Sequence, residues 1–198
     1  MLREFRAADF FTLGNGLAGS GAILAFMRFC AGEESRFFWI GTALMPVALV
    51  LDILDGRVAR LRREASPLGQ ELDSLADVVS FGVAPAAMAF ACGMRAEGDA
   101  LCLMYFAACG ISRLARYNVT AASLSAGTGK VRYFEGMPIP SSLLLVTLLA
   151  VLFALGYRGD ALPLSVWQIG PGALHPLSLL YVVHGSAMIS KTLHIPKL

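Results

Sequence analysis

Asp52-Ile53-Leu54-Asp55-Gly56-Arg57-Val58-Ala59-Arg60, followed after eight residues by Gly69-Gln70-Glu71-Leu72-Asp73-Ser74-Leu75-Ala76-Asp77, places four carboxylates at the ends of two strongly apolar stretches. On a helix, residues three or four apart share a face, so Asp52 pairs with Asp55 and Asp73 with Asp77. A carboxylate at membrane depth is costly and is normally paired or metal-bound, so four together describe a site. Oxygen-only ligands suit Mg²⁺, Mn²⁺ or Ca²⁺ and argue against zinc or copper.

The apolar context is a property of the whole chain. Of its 198 residues 57% are hydrophobic and 15% charged, and the mean hydropathy is +0.66. Soluble domains carry about 45–50% apolar and about 25% charged residues, so this is a membrane composition. A spanning helix needs about 20 mainly apolar residues, which leaves room for roughly six spans, and little for a separate soluble domain. The expectation is an all-α integral membrane protein, one domain over 1–198, with spans near 11–30, 37–54, 71–93, 99–117, 138–157 and 172–190. Residues 1–8 are expected to form a short, uncleaved interfacial helix leading into the first span.

Local signals refine this outline. Gly14, Gly16, Gly19 and Gly21 let the first span approach a neighbour or ligand closely. Ser66-Pro67 reads as a helix cap followed by proline at the first helical position. Pro46 and Pro85 fall within spans and bend them, which neighbouring helices tolerate. Cys30, Cys92, Cys102 and Cys109 show no CxxC pair and read as free thiols in apolar surroundings.

Net charge is +2, too small to suggest nucleic acid. One set of connections holds Arg3, Arg6, Arg57, Arg60, Arg62, Arg63, Arg113, Arg116, Lys130, Arg132, Lys191 and Lys197; the opposite set holds Arg28, Arg36, Arg95 and Arg158. This bias puts both termini and the aspartates on the cytoplasmic side of the membrane.

Gly56, Ala59 and Gly69 leave room between the acidic pairs for a flat or phosphorylated ligand. Arg60 offers a fork of donors suited to phosphate oxygens. Cations held by the carboxylates would clamp phosphates and stabilise charge as a phosphoester bond breaks. The complete pattern Asp52-x2-Asp55-Gly56-x2-Ala59-Arg60-x8-Gly69-x3-Asp73-x3-Asp77 resembles, without departure, the signature of the CDP-alcohol phosphotransferases.

That resemblance implies a six-helix membrane enzyme, usually a homodimer, using two divalent cations (Mg²⁺ or Mn²⁺, with Ca²⁺ able to bind). It implies transfer of a phosphatidyl or related group from a CDP-linked donor to an alcohol, releasing CMP. Carried onto this sequence, Asp52, Asp55 and Asp73 would ligate metal, and Asp77 would serve both the second metal and catalysis as general base. Gly56, Ala59 and Gly69 would line the CDP pocket, with Arg60 near the donor phosphates and Asn15 as a further contact or a bridge between helices.

The acceptor is read from looser text. Thr12-Leu-Gly-Asn15, Ser80-Phe81-Gly82, Ser112-Arg113-Leu-Ala-Arg116-Tyr117-Asn118 and Tyr133-Phe134-Glu135-Gly136-Met137-Pro138-Ile-Pro140 resemble the phosphatidylserine synthase branch of the family. That branch implies CDP-diacylglycerol and L-serine as partners. Arg113, Arg116 and Arg132 are the candidates for clamping the serine carboxylate, with Glu135 for its ammonium. Glycerol 3-phosphate, inositol, choline or an ether-lipid donor are the neighbouring specificities.

Intramembrane carboxylates also mark cation transporters. A transporter is expected to place them near the midplane on broken helices in repeated halves, and no repeat is visible here. The remaining polar residues have plain readings. Glu71 is solvated at the membrane edge, Asp160 belongs to an outer loop, and His175 and His184 pack within the last span. Trp39 and Trp167 fit an interfacial aromatic belt.

Overall fold

In a computed structural model, residues 6–62, 66–125, 133–170, 172–192 and 194–196 are described. Apolar runs of sufficient length become helices: α1 (Ala7–Cys30), α2 (Arg36–Arg62), α3 (Pro67–Asp77), α4 (Ala84–Cys92), α5 (Glu97–Ser125), α6 (Leu143–Ala154) and α7 (Leu179–Ile189). A wide π turn, Val78–Val83, joins α3 to α4 without a break, so Pro67–Cys92 forms one rod.

Four rods are long and apolar enough to cross a membrane: Ala7–Cys30, Arg36–Arg62, Pro67–Cys92 and Glu97–Val119. The segments Ile139–Ala154 and Pro176–Ile189 are apolar but shorter. Each starts with a tight 3₁₀ turn, Ile139–Ser142 and Pro176–Ser178, where proline fixes the backbone in the first turn.

The expected start of the last span at 172 is overturned. Gly172–Leu174 forms a strand, β3, paired antiparallel with β2 (Trp167–Ile169). A second short pair joins β1 (Tyr133–Glu135) to β4 (His194–Pro196). The chain is therefore mostly helical and not strictly all-α. The interfacial helix expected over 1–8 lies mainly outside the described residues, and Ala7 and Ala8 already belong to the first turn of α1.

Helix boundaries follow the local chemistry. Ser66 Oγ accepts a 2.9 Å hydrogen bond from the Gly69 amide, with Pro67 at the first helical position, as the sequence predicts for α3. Gly136 has φ +75°, and a side chain there would collide with the Met188 carbonyl, so only glycine lets this segment lie on the end of α7. The last carbonyls of α7 find donors from elsewhere in the chain: the Met137 amide reaches Ala187 O at 3.1 Å, and Arg116 Nη2 reaches Ile189 O at 2.9 Å.

The core runs the length of the bundle. Phe38 and Phe153 stack with centroids 3.7 Å apart, and Phe26 and Phe29 pack against Phe38. Phe81, Met88, Phe106, Tyr181 and Met188 fill the part between α4, α5 and α7. Tyr181 donates its hydroxyl to the Pro85 carbonyl at 3.1 Å, so a buried phenol keeps its partner. Large apolar side chains also face outward, Leu17, Leu24, Val50, Leu148 and Val183 among them. In lipid such outward faces carry no penalty.

His175 is not in the last span. It precedes the Pro176–Ser178 turn, where its amide donates to Asp99 Oδ1 at 2.7 Å and its Nδ1 lies 2.6 Å from Asp99 Oδ2. Asp99 is fully buried and also accepts from the Ala96 amide at 3.0 Å, capping the start of α5. One carboxylate thus ties the β2–β3 hairpin to α5. Asp99→Ala strips partners from buried donors and is expected to lower unfolding free energy by about 1–3 kcal/mol. Thermal unfolding in detergent measures it; an unchanged midpoint would show that the hairpin is held by other contacts.

Candidate functional site

Helical spacing brings the four motif aspartates together from two rods. Asp52 and Asp55 lie near the C-terminal end of α2, and Asp73 and Asp77 on α3. Asp52, Asp55 and Asp73 each offer a carboxylate oxygen within 4.8 Å of the others. Asp77 is buried and within electrostatic reach of Asp52, Asp73 and Asp55.

A third wall comes from α1. Asp9, Thr12, Asn15 and Gly19 recur at spacings of three, three and four and are all buried, which makes them one inward face of an otherwise apolar helix. Thr12 Oγ1 donates to Asp55 Oδ2 at 2.8 Å. Asn15 Nδ2 donates to Asp77 Oδ1 at 3.1 Å, and Ser80 Oγ donates to the Asn15 carbonyl at 2.9 Å. A side chain on Gly19 would run into Ser80, so glycine sets how closely α1 meets the π turn.

Asp9 was not singled out by sequence reading. Its Oδ2 accepts from the Arg6 amide at 2.8 Å, while Oδ1 would lie 2.9 Å from a Cβ built on Gly69. Asp9, Thr12 and Ser80 share one legible signal, the polar or small positions at helical spacing within or facing the first span. Nothing in their identity alone separates them from helix caps.

The glycines of the motif do different things. A Cβ on Gly56 would meet nothing within 4 Å, so its side of α2 opens onto free space. Gly69 instead permits close packing against Asp9 and Ser66. Ala59 is half-buried and Arg60 exposed at the end of the same helix.

The arginines divide. Arg113 is half-buried, within electrostatic reach of Asp77, and its buried Nε has no hydrogen-bond partner among the described residues. Arg116 holds the Ile189 carbonyl, a structural use that sequence reading did not anticipate. Arg132 lies outside the described residues. Asn118 ties α5 to α3: its Nδ2 reaches Ser74 Oγ at 3.0 Å and Glu71 Oε2 at 3.3 Å, so Glu71, though exposed, has a partner.

The residues fit divalent cations. Hard carboxylate oxygens converge from two helices, and Asp73 Oδ1 and Asn15 Oδ1 are buried acceptors without a donor among the described residues. Like charges gathered at this depth require a counter-charge.

The family model described as CDP-alcohol phosphatidyltransferase matches residues 5–183. The chain is 44% identical over 200 residues to the CDP-diacylglycerol–serine O-phosphatidyltransferase of Saccharomyces cerevisiae, covering all of this chain and 72% of that protein. It is 35% identical over 164 residues to a protein of the same name from Mycobacterium leprae, covering 76% of this chain and 54% of that one. A third, from Bacillus subtilis, is 31% identical over 155 residues, with 75% and 80% covered.

The carboxylate geometry generates a binding prediction. Mn²⁺ added at about 100 times its dissociation constant is expected to stabilise the purified protein by about 2.7 kcal/mol. Asp73→Asn should remove that gain in a thermal-shift titration, and an equal gain in the variant would place the cation elsewhere.

Proposed function

The chain belongs to the CDP-alcohol phosphatidyltransferase family, and from that premise we propose that it transfers the phosphatidyl group of CDP-diacylglycerol to the hydroxyl of L-serine, releasing CMP. The relatives' names and the sequence of the arginine-bearing segments support serine as acceptor. The observation that carries the reading is Arg113, half-buried within electrostatic reach of the buried Asp77, with its Nε unpartnered among the described residues. A base and a carboxylate receptor within electrostatic reach of one another suit a zwitterion whose hydroxyl must be deprotonated.

Asp52, Asp55, Asp73 and Asp77 would hold two divalent cations, Mg²⁺ or Mn²⁺. Bound there, they would supply electrostatic stabilisation of the diphosphate and of the leaving CMP. The other steps belong to the chain. Gly56 and Ala59 give the cytidine side room, Gly69 shapes it through Asp9 and Ser66, and Arg60 meets the donor phosphates. Arg113 orients the serine carboxylate, and Arg132 remains a proposed second contact. Asp77 accepts the hydroxyl proton while the serine oxygen bonds to the phosphorus nearer the diacylglycerol, and the bond from that phosphorus to CMP breaks.

Six crossings follow if the two shorter apolar segments complete the bundle with the four long rods. The charge bias sets both termini and the aspartates towards the cytoplasm, where serine and CMP are soluble. CDP-diacylglycerol enters sideways from the inner leaflet, and the protein works as a homodimer.

Purified protein in detergent, given CDP-diacylglycerol and Mn²⁺ or Mg²⁺, is expected to release CMP when L-serine is added. Release only with glycerol 3-phosphate or inositol would change the acceptor, and none with any alcohol would reopen the transporter reading. Asp77→Asn should lower turnover by about 10²–10⁴-fold, the typical share of a general base, while the protein stays folded. Arg113→Ala should raise the serine KM by about tenfold or more, a loss of one charge-assisted hydrogen-bonding partner, with little change for CDP-diacylglycerol. Equal rises for both substrates would make Arg113 a donor-side or scaffold residue.

A further inference from the structure

The inward face of α1 reaches two different carboxylates, one on each of the other rods. Thr12 Oγ1 lies 2.8 Å from Asp55 Oδ2 and 3.3 Å from the Ala8 carbonyl. A hydroxyl has one hydrogen, and the shorter contact to an ionised acceptor is the stronger, so the hydrogen goes to Asp55. Asn15 Nδ2 donates to Asp77 Oδ1 at 3.1 Å. The Asn15 backbone is itself held, because Ser80 Oγ donates to its carbonyl at 2.9 Å. Thr12 is 3% exposed and Asn15 and Ser80 0%, so water cannot replace these bonds.

Each hydrogen bond occupies one oxygen and leaves the other. Beyond these two contacts Asp55 keeps Oδ1 and Asp77 keeps Oδ2, so each carboxylate is held at one oxygen. We infer that Thr12 and Asn15 are positioning residues, Thr12 aiming Asp55 at the cation set and Asn15 aiming Asp77 at the acceptor hydroxyl. The inference rests on the transferase reading. It moves Asn15 from a contact with the donor nucleotide to a partner of the general base.

The division of labour gives each residue its own signature. Outer-shell partners of ligating carboxylates typically change metal affinity or activity by about 10–100-fold. Thr12→Val keeps the side-chain volume and removes the donor, so it should weaken Mn²⁺ binding, read by electron paramagnetic resonance of the free ion, by about 10–100-fold. Thr12→Ser, which keeps the hydroxyl, should restore it. Asn15→Ala should lower kcat by about 10–100-fold while the affinity for CDP, measured by calorimetry, and both KM values stay at wild-type levels.

The outcomes separate cleanly. Wild-type Mn²⁺ affinity in Thr12→Val, or weaker CDP binding with unchanged kcat in Asn15→Ala, overturns the positioning roles. Asp55→Asn is the control for the reading beneath. If it binds Mn²⁺ normally, the cation site is wrong; if it loses Mn²⁺ while Thr12→Val does not, only the positioning inference fails. Should Asn15→Ala not fold, Ser80→Ala reads the same arm, since it releases the Asn15 carbonyl. Reduced kcat with retained CDP affinity supports the inference, and unchanged kcat overturns it.

Discussion

Carboxylates cannot be gathered inside an apolar bundle unless something other than bulk water solvates them. That constraint organises this molecule. Asp52, Asp55, Asp73 and Asp77 come from two rods that would repel one another at this end. The third rod, α1, answers with a hydroxyl, an amide and a glycine on one face, giving two of the acids a donor and letting the backbones meet closely. Among the described residues Asp73 Oδ1, Asn15 Oδ1 and Arg113 Nε stay unsatisfied here, two acceptors and a donor, a mixture suited to cations and an anionic or zwitterionic substrate.

The parts of this arrangement that were legible in sequence are those with a period or a spacing. Apolar length located the four long rods, Ser66-Pro67 marked the start of α3, and helical spacing paired the aspartates. What escaped was the partner of each group. Arg116 and Arg113 sit three apart in one charged segment, yet one caps the end of α7 and the other lies within electrostatic reach of Asp77. Their difference depends on the rotation of α5 against two other helices, which no local pattern encodes. Asp9 and the partner of Thr12 were hidden because polar residues near a helix start are ordinarily caps, and Asp9 does act as one. His175 was misplaced because a run of apolar residues looks alike whether it continues as helix or folds back as a short hairpin.

The two ends of the bundle solve opposite problems with the same residue type. At the α5 start, Asp99 is saturated: it accepts from two backbone amides and faces the imidazole of His175. Such a carboxylate is a rivet, with nothing left to offer a ligand. At the other end Asp73 Oδ1 has no partner among the described residues, and α3 and α5 are linked through a half-exposed group around Asn118. Hydrogen-bonding capacity is used up at one end and kept at the other.

The π turn at Val78–Val83 bears on how this chain can change over evolutionary time. It follows Asp77 directly and leads into α4, whose Pro85 carbonyl is fixed by Tyr181. A wide turn holds one residue more than a regular helical turn. Its six residues advance the rod by about as much as five of ordinary α-helix, so the extra residue is absorbed without turning one half against the other. Loss of one residue there closes the turn into regular helix and leaves Asp73 and Asp77 on their face. Gain of a residue in the regular helix of α3 instead turns them by about 100°, because α4 is locked to α7. Changes of length should therefore be tolerated unequally along this rod, while buried Ser80 and Phe81 restrict its letters.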